Sequence, residues 1–159
     1  MTIEPLEFDV DGLYILVRDL GDTYRFHWGL YLATKPCTGD LFHAVNTVNK
    51  NSWAYEVRQD INLIDWRFLA AVKVGMIETE LHDALRSRLQ EIPMGYSSRY
   101  KEEMSCRVWV KESLFALDNE GFIQLVGSVN AIDMEAKSEA MRNKLEGRRT
   151  IIKSAGSLE

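Results

Sequence analysis

Cysteine is scarce in this chain, with Cys37 and Cys106 the only two among 159 residues. Two thiols cannot build a multi-bridge disulfide scaffold, and without an export signal they are expected as free thiols in a reducing, cytoplasmic compartment. Basic charge is also short: 19 Lys and Arg stand against 24 Asp and Glu, a net charge of −5. That balance, with no basic run interleaved with aromatics, argues against a nucleic-acid binder that works by neutralising phosphates. No apolar run reaches the length of a bilayer span, so no stable membrane anchor is expected. Residues 1–12 carry Glu4, Glu7, Asp9 and Asp11 and have neither the basic nor the apolar region of a signal peptide. Internal repeats and low-complexity tracts are absent too.

What is present suffices for one sizeable core, since 46% of the residues are hydrophobic. A single domain over 1–147 is expected, opening on an acidic, weakly structured lead-in over 1–11 and followed by a polar tail, 148–159, expected to be disordered. Leu13 to Arg18 forms a first strand, Asp19 to Asp22 a turn, and Phe26 to Leu32 a second strand. A turn over Lys35 to Asp40 leads to a third strand, Leu41 to Thr47, and Ser52 to Val57 alternates again. Phe68 to Val74 is almost continuously apolar, as in a central strand buried on both faces. From Thr79 the period becomes helical, with Leu81, Ala84, Leu85, Leu89 and Ile92 in register and Pro93 and Gly95 as stops. A second helix starts at Cys106 and buries Cys106, Trp109, Val110, Ser113, Leu114 and Leu117. Asn130 caps a last helix whose sparse apolar stripe, Met134, Met141 and Leu145, packs lightly or meets a second copy of the chain. The fold class is therefore α+β, an antiparallel meander with helices packed on one face.

Chemistry converges on few residues. In the second strand Phe26, Trp28, Leu30 and Leu32 share one face, and His27, Gly29 and Tyr31 the other. His43 lies on the next strand, and Cys106 opens a helix, where the terminal amides favour a thiolate. An imidazole from a nearby strand could take the thiol proton, while a second polar group fixed its tautomer. Set against this, a free cysteine on an apolar helical stripe is usually a small buried hydrophobe, and strand histidines often bond only to backbone carbonyls. His82, among Glu80, Asp83 and Arg86, is expected to be solvated, and Cys37 to be an exposed loop thiol. The spacings match no zinc signature, and no other metal or cofactor is called for. Tyr14 and Tyr31 are candidates to assist an oxyanion.

Taken in order, Arg25-Phe26-His27-Trp28-Gly29-Leu30-Tyr31-Leu32, then Phe42-His43, then Ser105-Cys106-Arg107-Val108-Trp109 resembles the circularly permuted branch of the NlpC/P60 papain-like superfamily. It is similar in particular to lecithin retinol acyltransferase-like and phospholipase/acyltransferase proteins. The resemblance implies a permuted papain-like architecture, with Cys106 as nucleophile, His27 as base and His43 as its orienting partner. The segment at the nucleophile departs from that family's Asn-Cys-Glu-His-Phe, which turns the expectation from lipids toward a small molecule or peptide. A hydrolase or acyltransferase working through a thioacyl-enzyme on an amide, ester or thioester is the first expectation. Its rivals are a non-catalytic binding domain on the same scaffold and a Cys/His acid-base isomerase or cyclase. Substrate choice would lie in the loops 58–67 and 93–105.

Overall fold

A computed structural model of the protein describes residues 6–21, 25–63 and 67–158. The expectations for residues 1–5, for Asp22 in the first turn, for 64–66 in the loop 58–67 and for Glu159 lie outside them.

Among the described residues, six strands form one sheet, in the order β4-β3-β2-β1-β5-β6. The β-branched and aromatic segments found in the sequence become β1 (Gly12–Asp19), β2 (Phe26–Ala33), β3 (Thr38–Asn49), β4 (Ser52–Asn62) and β5 (Phe68–Met76). Every neighbouring pair among these five is antiparallel, and β1 to β4 run as a meander. Two boundaries differ from expectation. Gly39 and Asp40 belong to β3 rather than to the turn, which closes when the Thr34 and Lys35 amides donate to the Thr38 carbonyl. β4 runs on to Asn62, so residues 58–62 are strand and not a substrate loop.

A 3-10 turn over Thr79–Leu81 leads into α1 (His82–Gln90), and α2 (Cys106–Asn119) and α3 (Val129–Glu146) follow. Ser105 caps α2 by accepting the Val108 amide, and Ser128 caps α3 by accepting that of Ala131. Such a cap contributes about 1 kcal/mol. The cap of α3 is therefore Ser128, not Asn130. The helix is also rotated relative to expectation: Met134 and Leu145 are exposed, and Val129, Ile132, Ala136 and Ala140 face the core. Small side chains let α3 lie close over β5 and β1, so its buried face reads as weakly apolar in sequence even though it packs fully.

All three helices contribute to one core with Leu13, Ile15, Trp28, Leu30, Phe42 and Val72 from one face of the sheet. Strand alternation sends Tyr14, Leu16, Tyr31, Leu41 and Phe68 to the other face, where Phe8 and Leu63 complete a second core. The described part of the lead-in is thus ordered: Phe8 donates its amide to the Pro36 carbonyl, and Asp11 donates to that of Ala33. β5 is buried on both faces, as its composition predicts.

The C-terminal segment is the largest correction. Residues Thr150–Lys153 form β6, which pairs parallel to β5, and Ser154 and Ser157 are buried. Asn143, wholly buried, ties this segment down, donating to the Leu69 carbonyl and to Thr150 Oγ1, both at 2.7 Å, and accepting from Arg148 Nε at 3.0 Å. Gly147, with φ +66, makes the left-handed turn that lets the chain leave α3 and return along the sheet. Asn143→Ala strands these partners in the interior and should lower unfolding free energy by about 2–3 kcal/mol, measurable by urea denaturation.

Candidate functional site

The site grows from the register of three strands. In β2 and β3 Leu30 pairs with Phe42, so one step further along the ladder Gly29 lies opposite His43. A Cβ at Gly29 would stand 2.9 Å from Leu41 Cδ1 and 3.3 Å from His43 Cβ. With only hydrogen there, the His43 ring can lean past Gly29 to its diagonal neighbour His27. His27 Nε2 and His43 Nδ1 are 2.6 Å apart. Glu56 is the direct partner of His43 across β3 and β4, and its Oε1 lies 3.2 Å from His43 Nε2. Arg58 Nε donates to the same oxygen at 2.7 Å.

This row has a direction. A carboxylate only accepts, so His43 must donate from Nε2, and its neutral ring then accepts at Nδ1. His27 consequently donates from Nε2 and keeps its lone pair on Nδ1, the atom left to act as a base. Electrostatics hold both rings neutral. Burial, the charge of His43 and then Arg18, which pairs with His27 across β1 and β2, push His27 down to about 4. Burial also lowers His43, against the opposing pull of its hydrogen bond to Glu56. The hydrogen bond from Arg58 is the first cause keeping the Glu56 carboxyl below its ordinary range, with His43 acting in the same direction.

Cys106 is the first residue of α2, as the sequence predicts, and is buried. The backbone amides of Trp28, Arg107 and Cys106 itself lie near the sulfur and favour its charged form. The thiol thus lies near β2, in the same core as Trp28, the residue adjoining His27. Desolvation outweighs those amides and raises the thiol above its ordinary value, so the helix start alone does not produce a resting thiolate. Among the described residues no hydrogen bond joins Cys106 to His27. Cys106 packs in the core that contains the Trp28 side chain, while His27 alternates to the face shared by Gly29 and Tyr31. The fold therefore assembles His27 and His43, adds Glu56, and sets the thiol near the neighbouring amide.

Tyr14 and Tyr31 do not join this group. Both lie in the second core, where the Tyr14 hydroxyl accepts the Asp9 amide at 2.8 Å and the Tyr31 ring packs on Phe8 with centroids 4.9 Å apart. Tyr31 does share the strand face of His27, but further along β2, where it packs under the lead-in segment. His82 is buried rather than solvated, with Nε2 at 2.9 Å from the Ile77 carbonyl and 3.1 Å from Asp11 Oδ1, and it pins the entry to α1. Cys37 is half-buried, not exposed. Glu56 went unnoticed in the sequence, although alternation of Trp53, Tyr55 and Val57 places it on the polar face of β4. Only the β3 to β4 register puts it opposite His43.

No group of three or more metal-ligating side chains occurs among the described residues, and none of their helices is long and apolar enough to cross a membrane. No curated protein and no solved structure matches the chain. A family match covers residues 13–124, a span that holds β1 to β5, α1 and α2 and includes His27, His43, Glu56 and Cys106. By that match the chain belongs to DUF6540, a family of unknown function.

Proposed function

We propose that the protein is a cysteine-dependent hydrolase or acyltransferase of permuted papain-like architecture, with Cys106 as nucleophile and His27 as general base. The observation that carries this is the row His27–His43–Glu56, which ends in a carboxylate and leaves the lone pair of its first ring on Nδ1, with the Cys106 sulfur near the amide of Trp28, the next residue of the strand. A resting neutral thiol and neutral imidazole suit general-base catalysis, in which the proton leaves the sulfur as the sulfur attacks. Transfer requires the Cys106 thiol, near the Trp28 amide, to come within hydrogen-bond reach of His27 Nδ1 in the substrate complex, catalytic hydrogen bonds being commonly long in an unliganded site.

In the first half-reaction the thiol proton passes to His27 Nδ1 while the sulfur bonds to the carbonyl carbon and the π pair moves onto oxygen. Collapse of that oxyanion breaks the bond to the leaving group, which takes the proton from His27. The thioester is then attacked by water or by an acceptor amine or alcohol, with His27 as base again. His43 and Glu56 keep the ring in the required tautomer and share the charge it gains. Backbone amides at the start of α2 are the available oxyanion donors.

The test is direct. Incubation with an activated ester such as p-nitrophenyl acetate should add one acetyl group, located on Cys106 by peptide mass, and the adduct should be missing from Cys106→Ser. A second reading, a non-catalytic binding domain, is favoured by the burial of the thiol and its lack of a bond to His27. That reading wins if wild-type protein acquires no acyl group while Cys106 alkylates normally after unfolding. Turnover that persists in Cys106→Ser would instead point to acid-base chemistry by the imidazoles alone.

A further inference from the structure

A cavity of about 830 Å³ opens where β1 ends, β5 begins and α3 terminates. Cys106, His27, His43 and Glu56 are not among its described lining residues, so it is separate from the site above. Its floor is apolar, built from Phe8, Leu63, Phe68 and Leu69, side chains that complete the two cores and line one wall of the cavity. Around that floor stand Arg67, Lys144, Arg148 and Arg149, with Asp19 the acid among the described lining residues. Such a concentration of cations is unexpected in a chain of net charge −5.

Helix electrostatics explain only part of it. Lys144 lies in the last turn of α3, where a cation complements the dipole, and it is paired with Asp19 at 2.8 Å. Arg148 is shared with Glu146 and Asn143 Oδ1. Arg67, Arg148 and Arg149 lie outside that helix, and the Arg149 guanidinium sits 5.1 Å from the Phe68 ring centre, at the junction of cationic rim and apolar floor. The volume falls within the range of small-molecule pockets.

We propose that this cavity binds an amphipathic anion: an apolar body on Phe8, Leu63 and Phe68, and a carboxylate or phosphate head held by Arg149 and its neighbouring cations. The proposal does not depend on Cys106 chemistry. Cys37 also lines the cavity, which gives an internal reporter.

The full chain would be titrated calorimetrically with decanoate, decyl phosphate, decanol and decyltrimethylammonium below their aggregation concentrations. Decanoate or decyl phosphate should bind at least about tenfold tighter than decanol, and the tighter of the two anions identifies the head group. Arg149 is exposed, and Arg149→Glu should weaken anion binding by about tenfold, the loss of a charge-assisted hydrogen bond, with decanol binding retained and the circular dichroism of the folded protein unchanged. Bound anion should slow iodoacetamide labelling of Cys37. Equal affinity for decanol, preference for the ammonium, an unchanged affinity in Arg149→Glu, or Cys37 labelling indifferent to ligand would each overturn the assignment.

Discussion

His27→Ala is expected to lower turnover of an activated ester by about 10²–10⁴-fold, the usual contribution of a positioned general base. In the tautomer that Glu56 imposes, His27 is the ring of the row whose Nδ1 keeps a lone pair not used within the row. His43→Ala should cost less, because the base remains and loses only its orientation and the carboxylate behind it. Glu56→Gln should cost least, since an amide oxygen can still accept from His43 Nε2. The graded order, measured as kcat/KM on one ester with all variants shown to be folded, is the signature of a directed relay. Equal losses at all three positions would mean that the row supports the fold rather than the proton transfer.

Stability should fall steeply as pH drops below about 6.5. In the folded protein His27 stays neutral down to about 4, whereas the unfolded chain takes up its proton near 6.5. Between these values the unfolded state binds more protons, so unfolding free energy rises with pH, and the loss on acidification stops accruing once the folded ring also protonates. For a gap of that width the loss is on the order of 3 kcal/mol, and lowering of His43 acts in the same direction. Glu56, whose carboxyl is held below its ordinary range, adds a further loss at still lower pH. Urea midpoints at pH 7.5 and 4.5 measure the effect, and His27→Gln should flatten it. A midpoint indifferent to pH in wild type would show that the two rings are not held neutral.

Legibility in the sequence followed the strength of local patterns. β2 and α2 were readable because their side chains alternate or recur without ambiguity: Phe26, Trp28, Leu30 and Leu32 in the one, Cys106, Trp109, Val110, Ser113, Leu114 and Leu117 in the other. α3 was placed but rotated, since Ala136, Ala140 and Asn143 give no apolar signal while exposed Met134 and Leu145 do. β6 was missed because four residues, Thr150 to Lys153, carry too little pattern. Their pairing with β5 and their anchoring by Asn143 exist only once the chain has turned back at Gly147. His82 was misjudged from its charged neighbours in sequence, when Asp11 and the Ile77 carbonyl, brought to it by the fold, decide its burial.

The sequence by itself determined that five strands precede the helices, that His27 and His43 sit on successive strands and that Cys106 starts a helix. Each of these follows from local periodicity and from a cap within three residues, which short-range sterics and hydrogen bonding dictate. Only the tertiary structure decided that His43 reaches His27 past Gly29, that Glu56 stands behind His43, that Tyr14 and Tyr31 are sealed under Phe8, and that Cys106 packs in the same core as Trp28. Those facts depend on strand register and on which face each helix covers. A one-residue slip in register would send every side chain of a strand to the other face.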